Sequence, residues 1–387
     1  MKILMAVHNI SGQGTYRRAF PLARELARRG HQVTLIASNK DRRLGVLSHV
    51  ESGVRLIESP DLLPGSFRYG WDPFNIIHRI AAIGNERFDI VHAFDCRPTV
   101  IYPALFARKH GARLVIDWAD WFGKGGAVEE RPNFLLRTLL RPIETTFEEH
   151  FRPGADANTV ICSTLYQKAL QLGVDPTRLI QFPNGCDTKS IHPEDRVEAR
   201  RRLKLPLQGP YIGYVGSAFL GGAVFMAEVL KSVRLQFPEV RFLWIGARPK
   251  ASRRILNELP DVYTPERVSE ERLNDYLAAC DLFWLPLRDT PANRGRWPLK
   301  FNDYLSAGRP VISTKVGDVK DFFNQKAIGW LTPDDAEQFA SQTITALSDP
   351  IECNRRGNEA RGVAETVFLW SKFCVELEIL YKQAVML

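Results

Sequence analysis

The chain has 387 residues, 45% hydrophobic and 25% charged, which excludes disorder as its dominant state and predicts two domains. Its 27 glycines and 24 prolines are scattered, so collagen-like and low-complexity readings fail. The formal charge is +8, and residues 1–190 carry 25 basic against 19 acidic side chains, +6 of it, which fits either an anionic partner or an ordinary solvated surface.

The first predicted element is a buried strand over residues 3–7, followed by the loop Ser11-Gly12-Gln13-Gly14-Thr15. A helix over 16–29 is stopped by Gly30, and a strand follows at 32–37. Strand, loop, helix, strand is the unit of a parallel sheet. Further strands are predicted at 54–57, 89–93, 113–117, 159–162 and 179–182. Residues 187–209 hold Pro193, Pro206 and the run Arg200-Arg201-Arg202, and read as a linker with a short helix. The pattern then restarts, with a strand at 211–215, a glycine-bearing loop at 216–222 and a helix at 223–236. Strands at 241–245, 281–285, 311–314 and 330–331 continue it, and the tail from 368 to 383 is helical. The fold class is α/β, with Rossmann-like domains over 1–190 and 191–367 and a terminal helix over 368–387.

The six cysteines, Cys96, Cys162, Cys186, Cys280, Cys353 and Cys374, contain no Cys-x-x-Cys pair. They read as reduced core residues of a cytosolic protein. No run approaches 18 apolar residues, and the first strand starts without a signal-peptide layout.

Glycines between a strand and a helix let backbone approach an anionic ligand at the helix N-terminus. A dinucleotide cofactor needs a third glycine where this chain has Arg17, and an acid where the second strand ends at Ser38. A dehydrogenase is therefore disfavoured. No P-loop occurs, and no Asp-x-Asp that would hold a nucleotide-bound metal ion. The bland alternative is that Gly12, Gly14 and Gly216 only permit tight turns.

The most specific stretch runs from Arg294 to Ile312. A short helix at 299–307 begins beside Arg294, Arg296 and Lys300, where the helix dipole is also positive, a setting that attracts a diphosphate. Asp303 lies one turn along and can accept two hydrogen bonds from a ribose diol. The alternative is a solvated helix with an ion pair between Lys300 and Asp303.

The run Pro298-Leu299-Lys300-Phe301-Asn302-Asp303-Tyr304-Leu305-Ser306-Ala307-Gly308-Arg309-Pro310-Val311-Ile312 resembles the signature of group-one glycosyltransferases with the GT-B fold. Leu26-Ala27-Arg28-Arg29-Gly30-His31-Gln32-Val33-Thr34, Phe88-Asp89-Ile90-Val91-His92-Ala93, Phe182-Pro183-Asn184-Gly185-Cys186-Asp187, Tyr214-Val215-Gly216 and Cys280-Asp281-Leu282-Phe283-Trp284-Leu285-Pro286 resemble its other motifs, in order. The chain departs from that pattern at Gly295, Ser217, Gly221 and Ala119, where the family often carries Glu, Arg, Lys and His.

The resemblance implies two parallel-sheet domains facing across a cleft, with the terminal helix crossing back to the first. It implies a nucleotide-diphosphate-sugar donor, retention of configuration, no cofactor and no metal. Donor contacts are expected from Gly12, Gly14, Gly216, Ser217, Arg267, Arg294, Arg296, Lys300 and Asp303. Asp120 is the candidate for holding or deprotonating the acceptor hydroxyl, since an acid at a strand end faces the ligand crevice, and His92 is the second. Asp117, Arg17 and Asn184 are the candidate acceptor contacts. The acceptor is expected to be a saccharide or a lipid-linked one, in cell-surface polysaccharide or glycolipid synthesis, with no role for nucleic acid. Residues 131–141 alternate Arg with Phe and Leu, which fits peripheral binding to an anionic inner membrane face, or an ordinary packed helix. A nucleotide-sugar epimerase and a non-catalytic partner protein are the alternatives.

Overall fold

The structure is a computed structural model. It describes residues 1–386 apart from 42, 132, 219, 247–251, 253, 256–257 and 266–267. The chain groups into two compact units, Met1–Asn184 with Trp370–Leu387, and Gly185–Leu369. The division falls at 184/185, where the linker composition suggested 190/191. Cys186 explains the difference: its N–H bonds Phe368 O at 2.6 Å, which ties this stretch to the second unit.

The first unit runs β1 (Lys2–Ile10), α1 (Tyr16–Arg28), β2 (Gln32–Ser38), β3 (Leu47–Glu51), β4 (Val54–Ser59), α2 (Pro73–Ile83), β5 (Ile90–Phe94), α3 (Pro98–Lys109), β6 (Arg113–Trp118), α4 (Phe134–His150), β7 (Ala157–Val160), α5 (Ser163–Gln171) and β8 (Leu179–Gln181). Among the described residues its eight strands lie in the order β3-β4-β2-β1-β5-β6-β7-β8. All neighbours are parallel except β3 and β4, which form a hairpin. Helices cover the parallel strands, so these are buried and read as near-continuous apolar runs. β1 departs from regularity in one place: Ala6 pairs with Ile36 but Ile10 pairs with Ser38, so the strand bulges around His8 and Asn9.

The second unit runs α6 (Arg196–Arg202), β9 (Tyr211–Val215), α7 (Leu220–Arg234), β10 (Arg241–Ile245), β11 (Val262–Tyr263), α8 (Glu270–Ala278), β12 (Leu282–Leu285), α9 (Pro291–Arg294), α10 (Leu299–Ser306), β13 (Val311–Thr314), α11 (Gly317–Gln325), β14 (Gly329–Thr332), α12 (Ala336–Ser348) and α13 (Pro350–Thr366). Among the described residues its six strands are parallel, in the order β11-β10-β9-β12-β13-β14. The core on one side is aromatic, with Phe242, Trp284 and Phe339 in contact.

The last helix, α14 (Trp370–Met386), belongs to the first unit. An amphipathic helix of this length is marginal alone and needs a partner surface. It packs on α1, where Cys374 Sγ meets Leu22 O at 3.4 Å and Glu378 pairs with Arg29 at 2.7 Å. Trp370 is buried. All six cysteines are free and buried. Among the described residues no helix is long and apolar enough to cross a membrane.

Candidate active site

In the second unit the turn after β9 and the start of α10 meet. Gly216 has φ +97, and a Cβ there would stand 3.4 Å from Lys300 Nζ. Its N–H donates to Ile245 O at 2.7 Å and its carbonyl accepts from Trp244 Nε1 at 2.7 Å. Gly216 is therefore a point of close approach and not a free donor. Lys300 Nζ lies 4.0 Å from the centre of the Tyr214 ring, and Tyr304 on the same helix accepts the Val215 N–H at 2.8 Å. A primary ammonium group is thus held over the carboxyl end of β9, the place where parallel sheets bind ligands.

The other expected cations have partners of their own. Arg294 is exposed and forks onto Asp289 at 2.7 and 2.8 Å. Arg296 Nη1 donates to Asn293 at 2.9 Å. Asp303 is half-buried one turn beyond Lys300, and Ser217 is exposed beside Gly216. Arg267 lies outside the described residues.

In the first unit a cavity of about 1020 Å³ opens beside the bulge of β1. Its floor includes His8, Asn9, Gly14 and Thr15, and Asp120 and Phe122 line it from the loop after β6. Tyr69, Trp71, Leu136, Leu140 and Ile143 make much of the remaining wall apolar. Asn9 Oδ1 accepts from the Thr15 N–H at 2.7 Å and from Thr15 Oγ1 at 2.6 Å, which latches the loop to the strand. A Cβ at Gly14 would fall 2.5 Å from the Asn9 amide, so this position needs glycine. The loop 119–126 is pinned from below by Glu148. Its carboxylate accepts from Trp118 Nε1, Phe122 N–H and Gly123 N–H at 2.9, 2.7 and 2.7 Å.

Two expected acceptor groups are corrected by their surroundings. Asp117 has no exposed surface, and Arg18 and Thr159 occupy its carboxylate at 3.0 and 2.6 Å. His92 is equally buried, with Nδ1 2.7 Å from the Tyr381 hydroxyl of α14. Burial pushes its imidazole down to about 4. Both are core polar groups with no surface for an acceptor to touch. Asn184 is buried and accepts from Arg18 at 3.3 Å, and Arg17 is half-buried beside it on α1. Asp120 and Gly14 are the expected residues that do line the cavity.

Sequence reasoning passed over His8, Asp95 and Arg97. The apolar run ends at Val7, so the sequence predicts a strand that stops before His8. Chain position at the carboxyl ends of β1 and β5 is the signal that could have found them.

The arginines of residues 131–141 are also engaged. Arg131 pairs with Glu144 at 2.5 Å, Arg141 with Glu129 at 2.8 Å, and Arg137 donates to Glu129 O at 3.3 Å. Much of what the first half of α4 leaves open is apolar: Phe134, Leu135, Leu136 and Leu139 are 64%, 77%, 43% and 64% exposed.

Residues 12–185 match the family model described as a glycosyl transferase 4-like domain, and residues 209–349 match that of glycosyl transferases group 1. The chain is 24% identical over 286 residues to the putative teichuronic acid biosynthesis glycosyltransferase TuaH of Bacillus subtilis, covering 69% of this chain and 68% of the relative. Sucrose-phosphate synthase from Thermosynechococcus elongatus has the same fold, with a TM-score of 0.78, 20% identity, and 99% and 98% of the two chains covered. WaaG, a glycosyltransferase involved in lipopolysaccharide biosynthesis, superposes with a TM-score of 0.72 at 18% identity over 99% and 98%.

Proposed function

We propose, for a chain that belongs to the group 1 glycosyltransferases of GT-B fold, that it moves a sugar from a nucleotide-diphosphate donor onto a lipid-linked saccharide or glycolipid at a membrane surface. The donor is the ligand of the second unit and the acceptor that of the first. Breaking the glycosidic bond leaves negative charge on the diphosphate, and a preorganised cation there stabilises the transition state. Lys300 is that cation, and Asp303 takes the ribose diol. With an ammonium group in this role, transfer needs neither metal nor cofactor. Configuration is retained at the anomeric carbon in this reading, which the family likeness supports.

The observation that carries the lipid reading is the continuity between cavity and surface. Leu136 and Ile143 both line the cavity and reach the open face of α4. Leu135 and Leu139 extend that face outward. A contiguous exposed apolar patch of this kind marks an interaction surface. The lipopolysaccharide role named for WaaG and the teichuronic acid role named for TuaH fit an acceptor of the cell surface.

Because Arg131 and Arg141 are ion-paired and Arg137 donates to Glu129 O, docking rests on apolar insertion more than on charge. The test is vesicle sedimentation of the wild type and of L135S/L139S, with neutral and with anionic vesicles. Burying two leucines is worth roughly 3 kcal/mol even when incomplete, so the variant should bind about two decades more weakly. Its transfer to a short-chain water-soluble acceptor should match the wild type. Wild type that stays in the supernatant with both vesicle types would retire the membrane reading and leave the transferase assignment in place.

A further inference from the structure

We propose that the cavity of the first unit takes the acceptor as a neutral sugar ring, with two neighbouring hydroxyls on Arg131 and Glu144 and no charged group inside, an inference that rests on this cavity being the acceptor site. The first argument is the hydrogen bonding of that pair. Arg131 Nη2 donates to Glu144 Oε1 at 2.5 Å. Arg131 Nη1 and Glu144 Oε2 are buried and have no hydrogen-bond partner among the described residues. Both residues line the cavity, and Glu144 is only 4% exposed. A buried polar atom left unmet is rare in native proteins, and here one bonded pair leaves both a donor and an acceptor unmet. Two vicinal hydroxyls satisfy both, since one oxygen accepts from Nη1 and the neighbouring O–H donates to Oε2. A carboxylate or a phosphodiester satisfies Nη1 alone and has no proton to give to Oε2.

The second argument is charge. The cations of the lining are Arg97 and Arg131, and its acids are Asp120 and Glu144. Arg131 is paired with Glu144. Arg97 Nε lies 3.5 Å from Asp95 Oδ2, its Nη1 donates to Tyr69 O at 2.8 Å, and its guanidinium carbon stands 4.1 Å from the centre of the Phe122 ring. Burial and the Arg97 charge push the His8 imidazole below its usual value, so it adds no charge at neutral pH. An anionic head therefore finds no uncommitted cation among the described lining residues, and it meets two carboxylates. A neutral head meets no such repulsion.

The third argument is the shape of the wall. Leu136, Leu140 and Glu144 follow at four-residue steps, so they stack along one face of α4. That stripe runs from exposed Leu136 to buried Glu144. Tyr69, Trp71 and Phe122 line the same cavity. A pyranose has apolar C–H faces and a rim of hydroxyls, which suits a mostly apolar wall with a few fixed polar groups. The ring goes in first, towards Glu144, its aglycone lies along the leucines, and any phosphate of a lipid carrier stays outside the cavity.

The test is calorimetric binding of octyl glycosides, below their micelle concentrations and without donor, to wild type, Glu144→Gln and Glu144→Ala. The neutral heads are glucose, galactose, mannose and N-acetylglucosamine, and the anionic head is glucuronic acid. At least one neutral head should bind wild type about tenfold more tightly than octyl glucuronide, the scale of one hydrogen bond to a charged group. Its affinity should fall about tenfold in Glu144→Ala. Glu144→Gln removes a negative charge from the lining, so octyl glucuronide should bind it more tightly than wild type while the neutral head binds it more weakly. Lost packing would weaken every head alike, so this crossover separates recognition from structure. Octyl glucuronide that binds wild type as tightly as every neutral head overturns the proposal, and so does a wild type that binds none of these glycosides. Both results are read on wild type and stand even where the Glu144 variants do not fold. Folded Glu144 variants that bind every head as wild type does overturn it as well. A wild type that uses no donor and binds no nucleoside diphosphate is a different result, the failure of the transferase reading itself.

Discussion

Arg18 and Asp117, 99 residues apart in the chain, form a buried forked pair, with Nε 3.1 Å from Oδ2 and Nη2 3.0 Å from Oδ1. The same guanidinium donates to Phe182 O and Pro183 O at 3.2 and 3.0 Å. One arginine of α1 thereby ties β6 to the segment after β8. Removing one partner of such a pair leaves the other charged and buried, which costs about 3–5 kcal/mol. Asp117→Ala should lower unfolding stability by that amount in denaturant titration. Adding Arg18→Met should restore part of it. An Asp117→Ala variant of unchanged stability but raised acceptor KM would return Asp117 to the acceptor site.

Donor binding should separate Lys300 from Arg294. A hydrogen bond to a charged group contributes about 1.5–3 kcal/mol, so Lys300→Ala should weaken nucleoside diphosphate binding roughly tenfold to a hundredfold. Arg294 is exposed and paired with Asp289. Arg294→Ala should weaken binding much less than Lys300→Ala does, because an exposed ion pair is screened by solvent. Asp303→Ala should weaken ribose nucleotides more than their 2′-deoxy analogues. Calorimetry that ranks Arg294 above Lys300 would move the diphosphate to the other end of the loop.

Turnover in excess chelator should equal turnover in magnesium. The motivation is the ammonium group at Gly216. Activity lost on chelation and regained with metal would contradict a purely cationic diphosphate site.

The two glycines of the first loop should differ. Both have positive φ, but a Cβ at Gly12 meets nothing within 4 Å, whereas one at Gly14 runs into Asn9. Gly12→Ala should cost about 1–2 kcal/mol, the backbone term alone. Gly14→Ala should cost more and should also raise acceptor KM, because it breaks the latch between Asn9 and Thr15. Equal effects in thermal melts and kinetics would remove Asn9 from the account.

The fold was legible because strands covered by helices are apolar on both faces, as at residues 3–7 and 311–314. β3 escaped notice because Ser48, His49, Val50 and Glu51 are exposed and the strand is an antiparallel edge. Lys300 was legible because its chemistry is local, a cation at the start of a helix after a strand. Asp117 and His92 misled because a strand end does not say which face a side chain takes. Their partners, Arg18 and Tyr381, lie 99 and 289 residues away. His8 was missed for the converse reason: two polar residues in β1 looked like its end.

The two buried groups His92 and Glu148 should give opposite pH dependences of stability. His92 falls from 6.5 in the unfolded chain to about 4, chiefly through burial. Between those values the unfolded chain holds the extra proton, so this group's contribution is complete above 6.5 and is lost as pH falls towards 4. Glu148 rises from 4.5 to about 7, again chiefly through burial, despite the N–H groups of Phe122 and Gly123. Here the folded chain holds the extra proton, so the contribution is present at low pH and is lost as pH rises from 4.5 to 7. Each slope approaches about 1.4 kcal/mol per pH unit, and between 4.5 and 6.5 they oppose one another. His92→Gln should therefore remove a rising slope, leaving the variant relatively less sensitive to acid than wild type. Glu148→Gln should remove a falling slope, so that its stability climbs more steeply from pH 5 to pH 7. Urea midpoints at pH 5, 6 and 7 for the three proteins measure both differences. Identical slopes in wild type and Glu148→Gln would mean that the carboxylate beneath the Asp120 loop is ionised throughout, held by its three N–H donors.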